Sequence, residues 1–206
     1  DIHGKCDSII YHTQDSIAKM MGSPVIWSDS TQITGEWMEA QMGENKKIKE
    51  LRVLGWAAGT MDDTKGKFNQ VEGKKLTGYV KNNKLDYVIV DGNAESIYWA
   101  REEDGTMIGM NRGASSKLYV YIKDGQMERL VMTPNGSGTL YPEDQIPEDE
   151  DMLKHYSWQS EARPRTPADV NAGDVMAETE IKTSVEPAEK QSAKKAVKKK
   201  RNGKKK

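Results

Sequence analysis

Three segments of this chain repeat one pattern of apolar residues, and that repeat limits the architectures the chain can adopt. The segments are 48–53, 85–90 and 127–132, and each carries apolar side chains at its first, fourth and sixth positions. Successive copies lie about 33 to 45 residues apart, a period typical of repeat proteins. Val, Ile, Tyr and Trp alternate with polar residues around the pattern, as expected of β-strands. The sequence therefore predicts successive strand hairpins.

Turn residues separate the predicted strands. Asn, Asp and Gly tolerate the positive φ that tight hairpin turns require. Three dipeptides of this kind lie between apolar runs, namely Asn82-Asn83, Asp104-Gly105 and Asp124-Gly125. We therefore expect antiparallel strands joined by short turns up to about Tyr141.

Glycine recurs at one position of the repeat, where Gly55 aligns with Gly92. Because glycine lacks a Cβ atom, a glycine on the inward face of a strand relieves crowding at a bend. A bend at the same place along successive strands would fold a sheet across its middle. We predict an all-β protein whose folded sheet forms an elongated trough.

Residue parity indicates which side chains line the trough, because side chains alternate across a strand. We align the strand before each turn by placing Ile33, Gly35 and Trp37 on Leu76, Gly78 and Val80 of the next copy. The predicted lining, all apolar, consists of Ile33, Trp37, Leu51, Val53, Leu76, Val80, Val88, Val90, Leu118, Val120, Ile122, Leu130 and Met132.

The pattern changes after Tyr141, and we divide the chain accordingly into residues 1–141, 142–169 and 170–206. The middle segment is bounded by prolines, and we predict a short helix that begins near Pro147, with Tyr156 and Trp158 fixing it over an open end of the sheet. The last segment is poor in apolar residues and rich in lysine, so we expect it to be disordered.

The charge distribution argues against a nucleic-acid-binding body. The net charge is −1, but residues 190–206 carry ten Lys and Arg residues and no acid. Subtracting those ten charges leaves −11 for residues 1–189, so the body of the chain is acidic. No stretch approaches the ~20 apolar residues of a transmembrane helix.

The sequence offers no recognisable catalytic, metal or cofactor site. The three histidines lie in unrelated contexts, without Cys or carboxylate partners at ligand spacing. Cys6 has no histidine nearby, and neither a phosphate-binding glycine loop nor a nucleophile elbow is present. We therefore expect a non-enzymatic protein with no metal and no cofactor.

Several motifs resemble the OstA-like proteins, the LptA family of lipopolysaccharide transport. The motifs, in chain order, are 68–79, 83–85, 92–98, 101–109 and 139–145, and the resemblance spans residues 4–169. It implies a β-jellyroll folded like a taco shell, located in the periplasm of a Gram-negative bacterium or associated with its outer membrane. Family members are usually longer and begin with a signal peptide, so we expect the carboxy-terminal part of a longer member.

The resemblance also implies a function and partners. The expected function is non-enzymatic binding of lipopolysaccharide acyl chains and their transfer toward the outer membrane. The expected partners are lipopolysaccharide and other β-jellyrolls of the transport system, paired edge strand to edge strand, or further copies of this chain. The alternative is a structural or protein-interaction β-repeat module of the cell envelope, in which the same inward residues form a dry, closed core without a lipid ligand.

Overall fold

A computed structural model describes residues 2–44, 46–64, 66–164 and 169 of the chain. The chain divides into two compact units, Asp1–Arg163 and Pro164–Lys206. The first unit contains every described strand. Of the second unit only Pro164 and Asp169 are described, so the predicted disorder of 170–206 lies outside the described residues.

The first unit is an antiparallel sheet of eleven strands, as the all-β prediction requires. The strands are β1 Ile2–Lys5, β2 Ser8–His12, β3 Ile17–Met21, β4 Val25–Ser28, β5 Thr31–Met42, β6 Ile48–Thr64, β7 Lys67–Lys81, β8 Lys84–Arg101, β9 Met107–Lys123, β10 Gln126–Thr133 and β11 Ser137–Tyr141. All three predicted hairpin turns are present; Asn82 and Asn83, for example, adopt φ of 51° and 60°.

Two half-sheets share the five long strands, β5 to β9. The strand order is β1-β4-β5-β6-β7-β8-β9-β10, while β3 pairs with the second part of β5 and β11 with the first part of β9. One half-sheet contains β1, β4, β11 and residues 31–35, 57–64, 67–73, 94–101 and 107–115. The other contains β2, β3, β10 and residues 37–42, 48–54, 75–81, 84–91 and 117–123. We call the first the capped half, because residues 142–163 cover its outer face, and the second the uncapped half.

A line of register shifts separates the two halves. The shifts lie between Gly35 and Trp37, Leu54 and Ala57, Glu72 and Lys75, and Asp91 and Ala94. Each is an irregularity at which one strand has an additional residue, and such bulges bend and twist a strand. Because they follow one another from strand to strand, the sheet folds along this line, as the sequence predicts.

Glycines permit the bend of the sheet in two ways. This corrects the prediction that Gly55 and Gly92 occupy one recurring position on the inward face. Gly55 and Gly92 adopt left-handed φ of 87° and 81°, which residues with a Cβ rarely do. At the bend the inward glycines are instead Gly35 and Gly73, since a Cβ atom on them would lie 2.1 Å and 2.6 Å from the side chains of Val53 and Val90.

Residues 142–163, which we call the capping segment, lie on the outer face of the capped half. The segment's backbone is bound by side chains of the sheet: Gln70 accepts from the Leu153 amide at 2.9 Å and donates to the Asp151 carbonyl at 2.8 Å. Glu72 accepts from the His155 amide at 2.9 Å. Leu153 joins Ile97, Trp99 and Met110 in a second, smaller core beneath the segment.

The prediction of a helix beginning near Pro147 was wrong. In the described part of this segment the regular elements are two short 3₁₀ turns, at Glu143–Gln145 and Ser160–Ala162. Backbone hydrogen bonds within the segment, such as Glu150 N–H to the Pro147 carbonyl, each close a single turn. Side chains of the sheet bind other backbone groups of the segment, so no turn continues into a longer helix. Trp158 packs against Phe68 with ring centroids 5.1 Å apart, on the outer face and not over an open end of the sheet.

Candidate functional site

An apolar row crosses the inner face of the uncapped half. Each member is the Cα partner of the next on the neighbouring strand, so the row runs perpendicular to the strands. Its members, from β3 to β10, are Met20, Met38, Val53, Leu76, Val90, Leu118 and Met132. At a spacing of about 4.8 Å between strands, a row across seven strands is about 29 Å long.

A second row runs parallel to the first, nearer the hairpin turns. It is formed in the same way by Ala18, Ala40, Leu51, Gly78, Val88, Val120 and Leu130. Together the two rows make a continuous apolar floor across the uncapped half from β3 to β10.

The capped half faces this floor with smaller residues. Its inner row is Gly4, Ile26, Ile33, Gly59, Val71, Ser96, Gly113 and Gly138. The glycines allow the halves to approach closely, since a Cβ atom at Gly113 would lie 2.7 Å from Met132 Sδ. The space between the halves is therefore a groove with large side chains on one wall and small ones on the other.

Side chains fill most of the groove. A cavity of about 30 Å³ lies between Ile33, Met61, Leu76 and Ile122. A second cavity of about 10 Å³ lies between Ile2, Ile26, Leu51 and Val80. A cavity needs about 10–15 Å³ to hold one water molecule, so the larger space has room for about two water molecules, the smaller for at most one, and neither for an acyl chain. An acyl chain can enter only if the halves move apart.

The groove interior carries almost no polar chemistry. Ser96 is fully buried there, and its hydroxyl has no hydrogen-bond partner among the described residues. Within the part of the chain that the structure describes, no three His, Cys, Asp or Glu side chains lie close enough together to hold a metal ion. The arrangement can shield apolar groups from water.

The structure brings twelve of the thirteen predicted lining residues together. Ile33, Leu51, Val53, Leu76, Val88, Val90, Leu118, Val120 and Ile122 are buried in one cluster, and Val80, Leu130 and Met132 pack against it. Whether they contact lipid stays a prediction. The predicted lining omitted other members of the cluster, among them Met20, Met38 and Ala40.

The inward placement of Trp37 was wrong. Its ring lies beneath the Lys19 ammonium, 5.8 Å from the ring centroid, and Lys19 also pairs with Glu39 at 3.2 Å. These contacts place Trp37 on the outer face, whereas its neighbour Met38 is fully buried in the groove. The register shift after Gly35 reverses the alternation, so parity counted from Ile33 fails at Trp37.

The outer face of the uncapped half carries four tyrosines on adjacent strands. Tyr87 lies 5.6 Å from Tyr79, 6.1 Å from Tyr119 and 5.0 Å from Tyr121, measured between ring centroids. Burial raises the pKa of Tyr87, and the neighbouring Tyr121 and Tyr119 raise it further. Cross-strand aromatic contacts of this kind stabilise a sheet, and they lie on the opposite side from the groove.

Both ends of the sheet present unpaired strand edges. Within the described residues β1 and β2 each pair with one neighbour at one end, and so do β10 and β11 at the other. Strand β2 is exposed throughout, with Ile9 63% exposed and Tyr11 50% exposed. Exposed apolar edge strands are templates for pairing with another chain.

Comparison with known proteins supports the fold. No protein-family model matches the sequence. No curated protein matches it either. Among solved structures, the chain is similar to LptH, described as the LptA-homologous periplasmic component of the lipopolysaccharide transport device of Pseudomonas aeruginosa. The TM-score is 0.54 at 16% sequence identity, covering 69% of this chain and 96% of LptH.

At this identity the similarity concerns the fold alone: the chain has the β-jellyroll architecture of LptA-type proteins. Among the described residues, no helix has the length and apolar character needed to span a membrane.

Proposed function

We propose that this protein is a non-enzymatic carrier that holds the acyl chains of lipopolysaccharide between its two half-sheets and passes them toward the outer membrane. The observation that carries the proposal is the apolar row across seven strands, from Met20 to Met132. A row of this kind carries apolar side chains across the sheet from β3, next to one edge, to β10 at the other. A compact core would need no such continuity from edge to edge.

Burial of methylene groups supplies the driving force. Each buried methylene gains about 0.8 kcal/mol, so a chain of twelve buried methylenes gains up to about 10 kcal/mol. That gain opposes the work of separating the halves. Methionines at Met20, Met38 and Met132 lower this work, because their unbranched side chains repack around guests of different shape. The charged sugars and phosphates of the lipid remain in water outside the groove.

Transfer would require a continuous path from one molecule to the next. Edge strands β1 and β2 of one molecule, paired with β10 and β11 of another copy or of a related β-jellyroll, would join their grooves end to end. The apolar rows end on β3 and β10, next to or on these edges. The resemblance to LptA-type proteins and the fold of a periplasmic relative support a location in the periplasm.

Site-specific photocrosslinking tests the proposal. A photoreactive phenylalanine is placed at Met132, which packs inward at one end of the row, and in a matched control at Val131, whose side chain points to the opposite face. In a Gram-negative host we expect light-dependent attachment of lipopolysaccharide at position 132 and little at position 131. Equal labelling at both positions, or none at 132 in folded protein, would contradict the proposal.

A second candidate function is a structural or protein-interaction β-repeat module of the cell envelope. The observation that favours it is that side chains nearly fill the groove. The larger cavity measures only about 30 Å³, as expected of a permanently closed core. This candidate predicts no lipid in the purified protein and no separation of the halves. The same photocrosslinking experiment distinguishes the two functions.

A further inference from the structure

One turn joins the two halves at the rim of the groove. Residues 28–30 are the last residue of β4 and the two residues between β4 and β5, on the capped half. We call them the rim turn. The Ser30 hydroxyl donates a hydrogen bond of 2.9 Å to the carbonyl of Gly125. Gly125 lies in the turn between β9 and β10, on the uncapped half. This contact therefore spans the mouth of the groove.

Two further contacts of the rim turn reach the uncapped half. The Lys84 ammonium lies 3.2 Å from the Asp29 carboxylate. The Leu85 amide donates to the Ser28 hydroxyl at 3.4 Å. The capping segment also holds the turn, because the Arg163 guanidinium donates to the Asp29 carbonyl at 2.7 Å.

The rim turn lies directly outside both cavities of the groove. Ile33 and Leu85 line both cavities, so these two side chains form the wall between them. Ser28 lines the smaller cavity, and Thr31, next to the turn, lines the larger. If the contacts of the turn were broken, Leu85 could move away from Ile33 and the two cavities would merge.

We propose that the rim turn is a releasable clasp at the acyl-chain entrance of the groove, an inference that rests on the proposed carrier function. Its contacts are few and polar: one buried hydrogen bond, two partly buried hydrogen bonds and one ion pair at the surface, and each contact of these kinds contributes little net free energy. Strands within each half are joined by many ladder hydrogen bonds, whereas the clasp can break without unfolding either half. An acyl chain would then enter between Ile33 and Leu85.

A disulfide across the clasp tests this inference. A Cβ atom at Gly125 would lie 3.6 Å from the Asp29 Cβ, within the range of a disulfide. The variant Asp29→Cys/Gly125→Cys is made in a Cys6→Ser background, so that no third thiol competes. The probe is cis-parinaric acid, an 18-carbon fatty acid that fluoresces in apolar surroundings, and stopped-flow fluorescence measures its rate of uptake. We expect uptake at least tenfold slower in the oxidised protein, with recovery after reduction.

Two controls isolate the effect of joining the halves. The Gly125→Cys single variant reports the strain of a side chain at φ 78°. The disulfide Lys117→Cys/Thr133→Cys joins β9 to β10 within one half, at paired positions. Neither control should slow uptake. Equal uptake by the oxidised and reduced clasp variant would overturn the clasp and leave the carrier function standing. Absence of uptake by the reduced protein and the wild type would overturn the carrier function, and the clasp with it.

Discussion

The substitution Leu76→Ala separates a carrier from a closed core. Leu76 is 1% exposed, belongs to the apolar row and lines the larger cavity. The change removes three carbon atoms at about 0.8 kcal/mol each, about 2.4 kcal/mol in all. The enlarged cavity adds a further cost, so we expect a loss of about 3–4 kcal/mol in the free energy of unfolding. Urea denaturation followed by circular dichroism measures this loss.

Lipid should restore part of the stability lost in Leu76→Ala. An acyl chain can occupy the enlarged cavity, and a ligand present at 100 times its Kd stabilises the folded state by about 2.7 kcal/mol. We therefore expect the variant to gain at least as much as the wild type when fatty acid is added before denaturation. No gain in either protein would refute the reasoning, because a groove that binds acyl chains must respond to them.

Two leucines provide matched controls for Leu76→Ala. Leu54→Ala makes the same change on the outer face, where Leu54 is half-buried, and should cost less than about 1.5 kcal/mol. Leu153→Ala makes it in the second core beneath the capping segment, where the side chain is 4% exposed. It should cost about 2–4 kcal/mol and leave the response to fatty acid unchanged. A lipid response altered by Leu153→Ala would show that the measurement does not report on the groove.

Three further outcomes are expected from the contacts. Met38→Ala should cost about 2–5 kcal/mol in unfolding free energy and Trp37→Ala less than half as much, and the reverse order would contradict the register of β5. Gln70→Ala should lower the free energy of unfolding by about 2 kcal/mol, because two backbone groups of the capping segment lose their hydrogen-bond partner. It should also expose residues 142–163 to proteases, and unchanged proteolysis would contradict the role of Gln70 in holding the segment. Burial raises the pKa of the Cys6 thiol above its usual range, so at pH 8 iodoacetamide should alkylate it more slowly than a free thiol. A rate equal to that of free cysteine would contradict the burial of Cys6.

The strands that follow the turns could be aligned correctly from the sequence, because aligned residues occupy equivalent positions in the sheet. Leu51 aligns with Val88 and Val53 with Val90, and in the sheet these pairs lie in the same two cross-strand rows. Their alternation is uninterrupted between the turn and the line of register shifts. Residue parity therefore placed these side chains on the correct face. The aligned glycines Gly55 and Gly92 correctly predicted where the sheet bends.

The strand before each turn, which the same pattern also aligns at Leu118, Val120 and Ile122, was aligned correctly for the copies at Leu76 and Leu118 and wrongly for the copy at Ile33. Leu76 and Leu118 both belong to the first row, but their counterpart in β5 is Met38, not Ile33. Matching Gly35 to Gly78 shifted β5 by five residues, because a glycine at a bend and a glycine within a row look alike in sequence. The structural equivalent of Gly35 is Gly73, which lies at the bend of β7.

A separate segment after Tyr141 was predicted, but its conformation could not be, for a different physical reason. Its conformation is determined by Gln32, Gln70 and Glu72, buried polar residues on the outer face of distant strands. These residues are more than eighty positions away in sequence from their partners. A local pattern of prolines and acids indicated a helix, and contacts that no local pattern contains decided otherwise.

The most direct test of the carrier function is the lipid content of the purified protein. The chain is directed to the periplasm of a Gram-negative host, purified without detergent and extracted with organic solvent, and the extract is analysed by mass spectrometry. We expect acylated glycolipid at a substantial fraction of one molecule per chain, reduced in the oxidised Asp29→Cys/Gly125→Cys variant. Folded protein whose extract contains no acylated lipid would show that the two rows pack only against each other.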